Sequence, residues 1–323
     1  MRRAPARPRG LTLVELMIAL TLGLFVILVA SVLLLSANAN YLNQTEAARV
    51  QDGGRYALEI MTRAIHQSAY ANWDKEDAPL LVGDAVSANI SGLDACSVSR
   101  NSDGISQPAP DAANGSDVLS IRFAGAGAAP DGDGSVINCA GFGVPAATGA
   151  EAVEQARRWS IFYVAKDQDG VAELRCKYRG AASWGADAIV RGVDSFQVLY
   201  GVDTDLPADG VANRYVSAST LNAQDAALVL EGATAGALAR DRNKKTHWKR
   251  VVSVKIALLL HGERNSRPDS LPAQFDLFGS DYAKAFGATD LGTRIRESAL
   301  PATARGRSRQ VFVTTILLRN QAG

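Results

Sequence analysis

Glu15 is the one charged side chain between Gly10 and Thr45, and it stands in an apolar stretch where a carboxylate is disfavoured by about 2.5–3.5 kcal/mol even on a lenient insertion scale. An acid kept in such a place has a task, and the chemistry open to it is pairing with a cation or an amine. The other residues able to do chemistry lie further on. Cys96, Cys139 and Cys176 allow one disulfide with one thiol left over. Asp203-Thr204-Asp205 followed by Asp209-Gly210 offers clustered oxygens of the kind hard cations take. Pro207 occupies a ligand position of an EF-hand loop and the distal glutamate is missing, so an ordinary Asp-Gly turn is the expected reading and no metal site is assigned. Similar Asp-Gly turns recur at Asp131-Gly132-Asp133-Gly134 and Asp167-Gln168-Asp169-Gly170.

No catalytic constellation is visible. His66, His247 and His261 are the only histidines, and none falls in an HExxH pattern. The glycines at 180 and 185 have the wrong spacing for a nucleophile elbow, and Gly125-Ala126-Gly127 is an isolated small-residue loop. CxxC is absent, which argues against redox catalysis and zinc knuckles. These patterns predict a protein that is not an enzyme, with no catalytic residues and no cofactor. Residues 240–250 are basic, with Trp248 beside Lys249 and Arg250; phosphate contact is conceivable there. A solvated loop leading into a strand is the expected reading, since charge runs usually mark exposure, and no nucleic-acid partner is expected.

The elements that position Glu15 begin with the apolar run itself. Residues 16–35 carry no charge and are interrupted only by Thr21, Gly23 and Ser31; at the helical rise this run spans about 30 Å, the hydrocarbon thickness of a bilayer. Arg2, Arg3, Arg7 and Arg9 precede it and no basic residue follows closely, which predicts a cytoplasmic N-terminus and an external remainder. A cleaved secretory signal has a shorter apolar core ending at a small-x-small site, whereas here the run continues smoothly into Ser36-Ala37-Asn38-Ala39-Asn40-Tyr41. A plain signal anchor accounts for length and orientation but not for Glu15.

Beyond the membrane a helical stripe continues. Val50, Gly53/Gly54, Ala57, Ile60/Met61, Ala64/Ile65 and Ser68 recur every three to four residues, with Arg49, Asp52, Arg55, Glu59 and Arg63 on the other side. The small residues predict close packing on a sheet, and Gly53-Gly54 is a candidate bend. A helix from Leu11 to about Tyr70 would run roughly 90 Å. The rest reads as strands at 117–123, 158–166, 172–178, 189–202, 248–261 and 309–319. Turn-rich loops are expected at 99–116, 124–135, 207–213 and 262–272, and another exposed loop at 297–308. No long helical pattern separates the strands, so the sheets should be mainly antiparallel. With 323 residues, 47% apolar and 21% charged at net charge +1, most of the chain should fold, without a bias toward polyanions.

Arg9-Gly10-Leu11-Thr12-Leu13-Val14-Glu15-Leu16 resembles the type III signal of prepilins: a basic leader ending in glycine, a hydrophobic residue, Thr-Leu, an aliphatic, then glutamate at the fifth mature position. The resemblance implies cleavage between Gly10 and Leu11 by a prepilin peptidase, N-methylation of Leu11, and pairing of Glu15 with the terminal amine of a neighbouring subunit. Leu11 stands where most prepilins place phenylalanine, and no proline interrupts residues 11–70, in contrast to major pilins. A straighter membrane helix is therefore expected, with Gly23 a weak point at about 1 kcal/mol.

The segments Gln51–Ile60 and Ile65–Tyr70, together with Val193–Asp205 and Trp248–Leu260, are similar to PilW-type minor pilins. That resemblance implies an α+β fold: a long N-terminal pilin helix packed on a mainly antiparallel β-sheet head. The corresponding organisation is a cleaved leader at 1–10, a transmembrane polymerisation helix at 11–36, a periplasmic half-helix at 37–70 and a β-rich periplasmic head at 71–323. The implied function is priming or capping of type IV pilus assembly. Its implied partners are other minor pilins, the major pilin, the prepilin peptidase and a tip adhesin, and its location is the inner membrane and then the fibre tip. A J-type minor pseudopilin of a type II secretion system shares the signal and a two-sheet head, and a signal-anchored periplasmic protein is the remaining alternative. Similar proteins carry cysteines in places comparable to Cys139 and Cys176, which favours that pair, with Cys96–Cys139 as the alternative.

Overall fold

The computed structural model describes residues 10, 12–69, 85–110, 112–146, 153–180, 182–263 and 273–319. Helix α1 spans Leu13–His66. It is followed by β1 (Ile90–Leu93), β2 (Ser97–Val98), β3 (Pro108–Ala109), β4 (Val118–Phe123), a short α2 (Val153–Ala156), β5 (Arg158–Lys166), β6 (Ala172–Arg179), β7 (Trp184–Arg191), β8 (Val193–Val202) and β9 (Arg214–Val216). Then come α3 (Ala218–Ala226), α4 (Ala235–Lys245), β10 (Val251–His261), β11 (Gln274–Asp276), α5 (Ser280–Phe286), β12 (Arg294–Arg296) and β13 (Arg309–Leu317). The chain divides into two compact units between Ala48 and Arg49, so α1 contributes to both.

Two sheets form the head. One has the order β1-β4-β5-β6-β7 and the other β13-β10-β8-β9, and every pairing in them is antiparallel. The fold is thus α+β, a long N-terminal helix followed by antiparallel sheets. All ten residues of β8 are buried, as are nine of the eleven in β10, which is why neither strand shows a polar–apolar alternation. Two buried polar residues of β8 bond to neighbouring loops: Ser195 donates to the Gly292 carbonyl at 3.0 Å and Gln197 Nε2 to that of Gly115 at 2.8 Å.

The second half of α1 follows the sequence stripe. Val50, Gly54, Ala57, Ile60, Met61, Ala64 and Ile65 are buried, and Ser68 beyond the helix is 1% exposed. Arg49, Asp52, Arg55, Glu59 and Arg63 are exposed. The glycines serve contact: a Cβ on Gly54 would lie 2.4 Å from the Phe312 ring of β13, and one on Gly53 would lie 2.9 Å from Val190 of β7. Phe312, Val190 and the helix stripe share one core with Phe162, Val198 and Ile256.

Several expectations need correction. The expected strand over 189–202 is two strands, β7 and β8, broken at Gly192 with φ 80°. Only glycine adopts that conformation freely, and a Cβ there would also sit 2.7 Å from the His261 carbonyl oxygen. The strand expected from 248 starts at Val251, after a 3₁₀ turn over His247–Arg250. The basic run enters a helix, α4, rather than a loop: Thr234 caps it by accepting from Ala237 N at 3.1 Å. Arg242, Lys244 and Lys245 then fall in its last turn, where cations suit the helix dipole. Residues 297–308 are no simple exposed loop, because they hold two 3₁₀ turns and the buried Glu297. Glu297 accepts from Gly306 N at 2.7 Å and from Arg309 Nη1 at 3.3 Å, so an ion pair folds this segment inward. Helix α1 ends at His66; Tyr70 and most of the expected loop over 262–272 lie outside the described residues.

Candidate functional site

The N-terminal segment is built from three residues. Gly10 is exposed, and a Cβ placed on it would meet nothing within 4 Å. Nothing in the described chain therefore demands glycine there. Leu11 and the arginines of the leader lie outside the described residues. Thr12 precedes the first helical residue, and its carbonyl accepts the first intrahelical bond, from Leu16 N at 3.1 Å.

Thr12 and Glu15 form a reciprocal capping box. Glu15 N donates to Thr12 Oγ1 at 3.2 Å, while Glu15 Oε2 accepts from Thr12 N and Thr12 Oγ1, both at 2.9 Å. Two amides orphaned at the helix start are thereby satisfied. The signal was present in the sequence as Thr-x-x-Glu, but a reading of Glu15 as a charge in search of an amine passed over it. Both bonds use Oε2, leaving Oε1 open among the described residues. From Leu13 to Leu35 every side chain is exposed, and this is the one described helix long and apolar enough to cross a membrane.

In the head, Cys139 and Cys176 are joined by a disulfide with a Cα–Cα separation of 5.8 Å and a sequence separation of 37. A cross-link closing a loop of that size contributes about 3–4 kcal/mol in the chain-entropy model. It ties the loop before α2 to β6, and Cys139 N also donates to Ser160 Oγ of β5 at 3.0 Å. Cys96 is the free thiol. Burial and the nearby carboxylates of Asp94 and Asp117 push its pKa up, which disfavours the nucleophilic thiolate.

The remaining candidates resolve into structural roles. Asp203, Asp205 and Asp209 bring their carboxylates within 4.8 Å of one another. Asp203, however, already accepts backbone N–H bonds from Asp205 and Asp209 at 2.9 Å and from Gly210 at 2.7 Å, the geometry of an Asp-stabilised turn. His247 Nδ1 lies 2.8 Å from Asp225, and His261 Nδ1 lies 3.1 Å from Asp194. Asp194 also receives Arg309 Nε at 2.6 Å. Burial raises the Asp194 carboxyl, but the His261 hydrogen bond and charge and the Arg309 cation outweigh it and hold the pKa below the ordinary value. Desolvation, followed by the charge of Arg319, lowers the His66 pKa. Trp248, beside the basic run, is 7% exposed and donates to Asn222 Oδ1 at 3.0 Å. Its ring meets Tyr200 edge-on at 4.7 Å, so it offers no face for base stacking.

One residue of consequence was missed in the sequence. Lys177 on β6 is fully buried. Its ammonium donates to the carbonyls of Ser99 and Gly104 at 2.9 and 2.8 Å and to Ser102 Oγ at 2.9 Å. The cation also lies 4.8 Å from the Trp184 ring centre. Burial lowers its pKa to about 8. Lys177 thus staples the loop between β2 and β3 to the sheet; no spacing rule exposes such a role.

A sequence profile for the prokaryotic N-terminal methylation motif matches residues 6–31, so the exposed apolar helix with its capped start is that of a membrane-anchored, pilin-like protein. The profile of type IV pilus-assembly protein W (PilW) matches residues 161–320, from β5 through β13. Over those residues the chain carries the PilW family profile. Among solved structures it is similar to a type IV-like pilin, TTHA1219 from Thermus thermophilus, at 14% identity over 85% of this chain and 100% of that one, with a TM-score of 0.36. No curated protein matches.

Proposed function

We propose that the chain is a minor pilin that primes or caps assembly of a type IV pilus. It is synthesised with a leader cut between Gly10 and Leu11 by a prepilin peptidase, methylated on Leu11, and held in the inner membrane with its head in the periplasm. Glu15 carries this reading. It is the sole charge between Gly10 and Thr45, in the part of α1 whose side chains are all exposed, and its Oε1, open among the described residues, is available to the terminal amine of a neighbouring subunit. A charge unfavourable alone then sets the stagger between two helices, since one register satisfies both groups. Gly10 supports the same reading: its lack of contacts puts the requirement for glycine on whatever binds the scissile bond. The other minor pilins, the major pilin and a tip adhesin are the proposed partners, and no catalytic activity is assigned to the chain itself.

The test is Glu15→Ala in the native host. Cleavage and methylation, read by mass spectrometry of the mature N-terminus, should persist while recovery of the subunit in sheared pili collapses. Normal incorporation of that variant, or an uncut N-terminus on the unaltered chain, would sink the assignment. Deleting the gene and scoring twitching against exoprotein release separates this role from that of a secretion pseudopilin. Loss of twitching with intact release is the outcome expected.

A further inference from the structure

The four-stranded sheet ends at β13, and among the described residues that edge is unguarded. Leu318 N donates to the Val252 carbonyl at 2.9 Å, and Leu317 is the partner of Ser253. By antiparallel alternation, the even-numbered residues of β13 therefore bond to β10, while Val311, Val313, Thr315 and Leu317 aim their N–H and C=O groups away from it. Those groups bond to no described residue. Val313 is 44% and Leu317 64% exposed. From Gln310 to Leu318 there is no charge and no proline, and the β10–β13 register runs without a bulge. Natural sheets blunt their edges with such devices, and here the other edges have them. Strand β1 has four residues and β9 has three, including Arg214; β7 carries Asp187 and Arg191 and a register shift against β6.

The geometry points to β13 as a strand-addition site for the head of a different membrane-anchored pilin-like subunit, which supplies an uncharged extended strand rich in aliphatic or β-branched residues. This inference rests on the pilus reading given above. Main-chain pairing selects an extended segment, and the exposed valine, threonine and leucine select its character. A strand this short buries far less than the ~1,200 Å² a stable soluble complex needs, so the pairing requires a tether. Two heads held by apolar helices in one membrane have that tether, because shared anchoring raises their effective concentration. A second copy is the poorer occupant. Among the described edges of the two large sheets, β13 is the one it offers unguarded, and a β13–β13 contact is isologous, closing a pair rather than extending an assembly.

The test places a photo-crosslinking benzoylphenylalanine at Val313 or Leu317 of the full chain in its native host, with Asp187 on β7 as the comparison position. The expected result is an adduct from β13 alone, to another protein bearing the N-terminal methylation signal, with the captured peptide mapping to a strand of its head. Thr315→Pro removes only an outward N–H, and Val313→Lys adds a guard. Each should cut adduct and pilus yield at least about tenfold without moving the unfolding midpoint of the purified full chain. Adducts between two copies of this chain, equal adducts from β7, or normal yields with both variants would overturn the proposal. If the β13 positions stay silent on a chain that is cleaved after Gly10 and incorporated, the edge assignment fails alone; if the chain is uncut, the pilus reading fails with it.

Discussion

From residue 13 to residue 48, helix α1 exposes every large apolar side chain it has, whereas from Arg49 to His66 it buries Val50, Ile60, Met61 and Ile65. The glycines differ in the same way. A Cβ at Gly23 would touch nothing within 4 Å, while one at Gly54 would strike the Phe312 ring at 2.4 Å. One helix thus obeys two sets of demands. Its second half is shaped by the sheets of its own chain, and its first half by surroundings the chain does not contain: lipid and, in the proposed filament, the helices of neighbours. Within lipid, apolar exposure carries no penalty, so hydrophobicity there says where the segment resides but not what it packs against.

The largest effect should come from exchanging these demands. Gly54→Leu forces a branched side chain into the Phe312 contact and should lower the stability of the head by about 3 kcal/mol, the upper range for overpacking a core. Gly23→Leu should leave head stability unchanged and favour the helix by about 1 kcal/mol. Denaturant unfolding of the detergent-solubilised full chain, followed through the head tryptophans, reads both. Equal losses from the two variants would erase the distinction between the halves.

A second prediction asks where the pH dependence lies. Burial raises the Asp290 carboxyl to about 6; the Tyr282 hydroxyl, donating at 2.7 Å, offsets part of that, and the charge of Asp94 adds to it. A carboxyl raised in the folded state contributes stability that is full below its unfolded pKa near 3.8 and is lost as pH rises through about 6. Asp290→Asn mimics the protonated form. It should therefore stabilise the head at pH 7.5 by on the order of 2 kcal/mol and do much less at pH 4. Chemical unfolding at the two pH values checks the sign, and a larger gain at the acidic value would contradict it.

How far the sequence could be read follows from what each residue answers to. The stripe from Val50 to Ser68 was legible because helical periodicity is a local record of burial, and β5 was bounded at Arg158 and Lys166 by its apolar run. Strands β7 and β8 were fused because β-branched residues stand on both sides of Arg191-Gly192, at Ile189, Val190 and Val193, and the positive φ at Gly192 marks the break. Helix α4 was hidden by its charge, since a polar helix resting on caps and ion pairs such as Lys245–Asp241 at 2.9 Å has no apolar stripe to announce it. The buried Asp194–Arg309 ion pair, and the Lys177 staple, join residues far apart in the chain, so no window of sequence contains both partners. The Cys139–Cys176 pair was favoured by likeness to related proteins, not by spacing, which says little about connectivity.

The smallest effect is the one that separates two roles of a single residue. Glu15 caps α1 through Thr12 and, in the proposed filament, meets a neighbour's amine. Thr12→Val removes the hydroxyl that accepts from Glu15 N and so weakens the cap, which should cost about 1 kcal/mol of helix stability at the first turn. It leaves the carboxylate charged. Glu15→Gln does the reverse: glutamine still reaches back to Thr12 N in a capping box, but it offers an amine no charge. Faster amide exchange at residues 13–16 should therefore appear in Thr12→Val and not in Glu15→Gln, measured on the full chain in detergent. Incorporation into pili should fail in Glu15→Gln and survive in Thr12→Val. If both variants assemble normally, the charge serves neither neighbour nor register, and Glu15 is a helix cap like those at the starts of helices in ordinary soluble domains. If both fail alike, the first turn itself is what a neighbouring subunit reads, and the two halves of α1 differ less than their exposure implies.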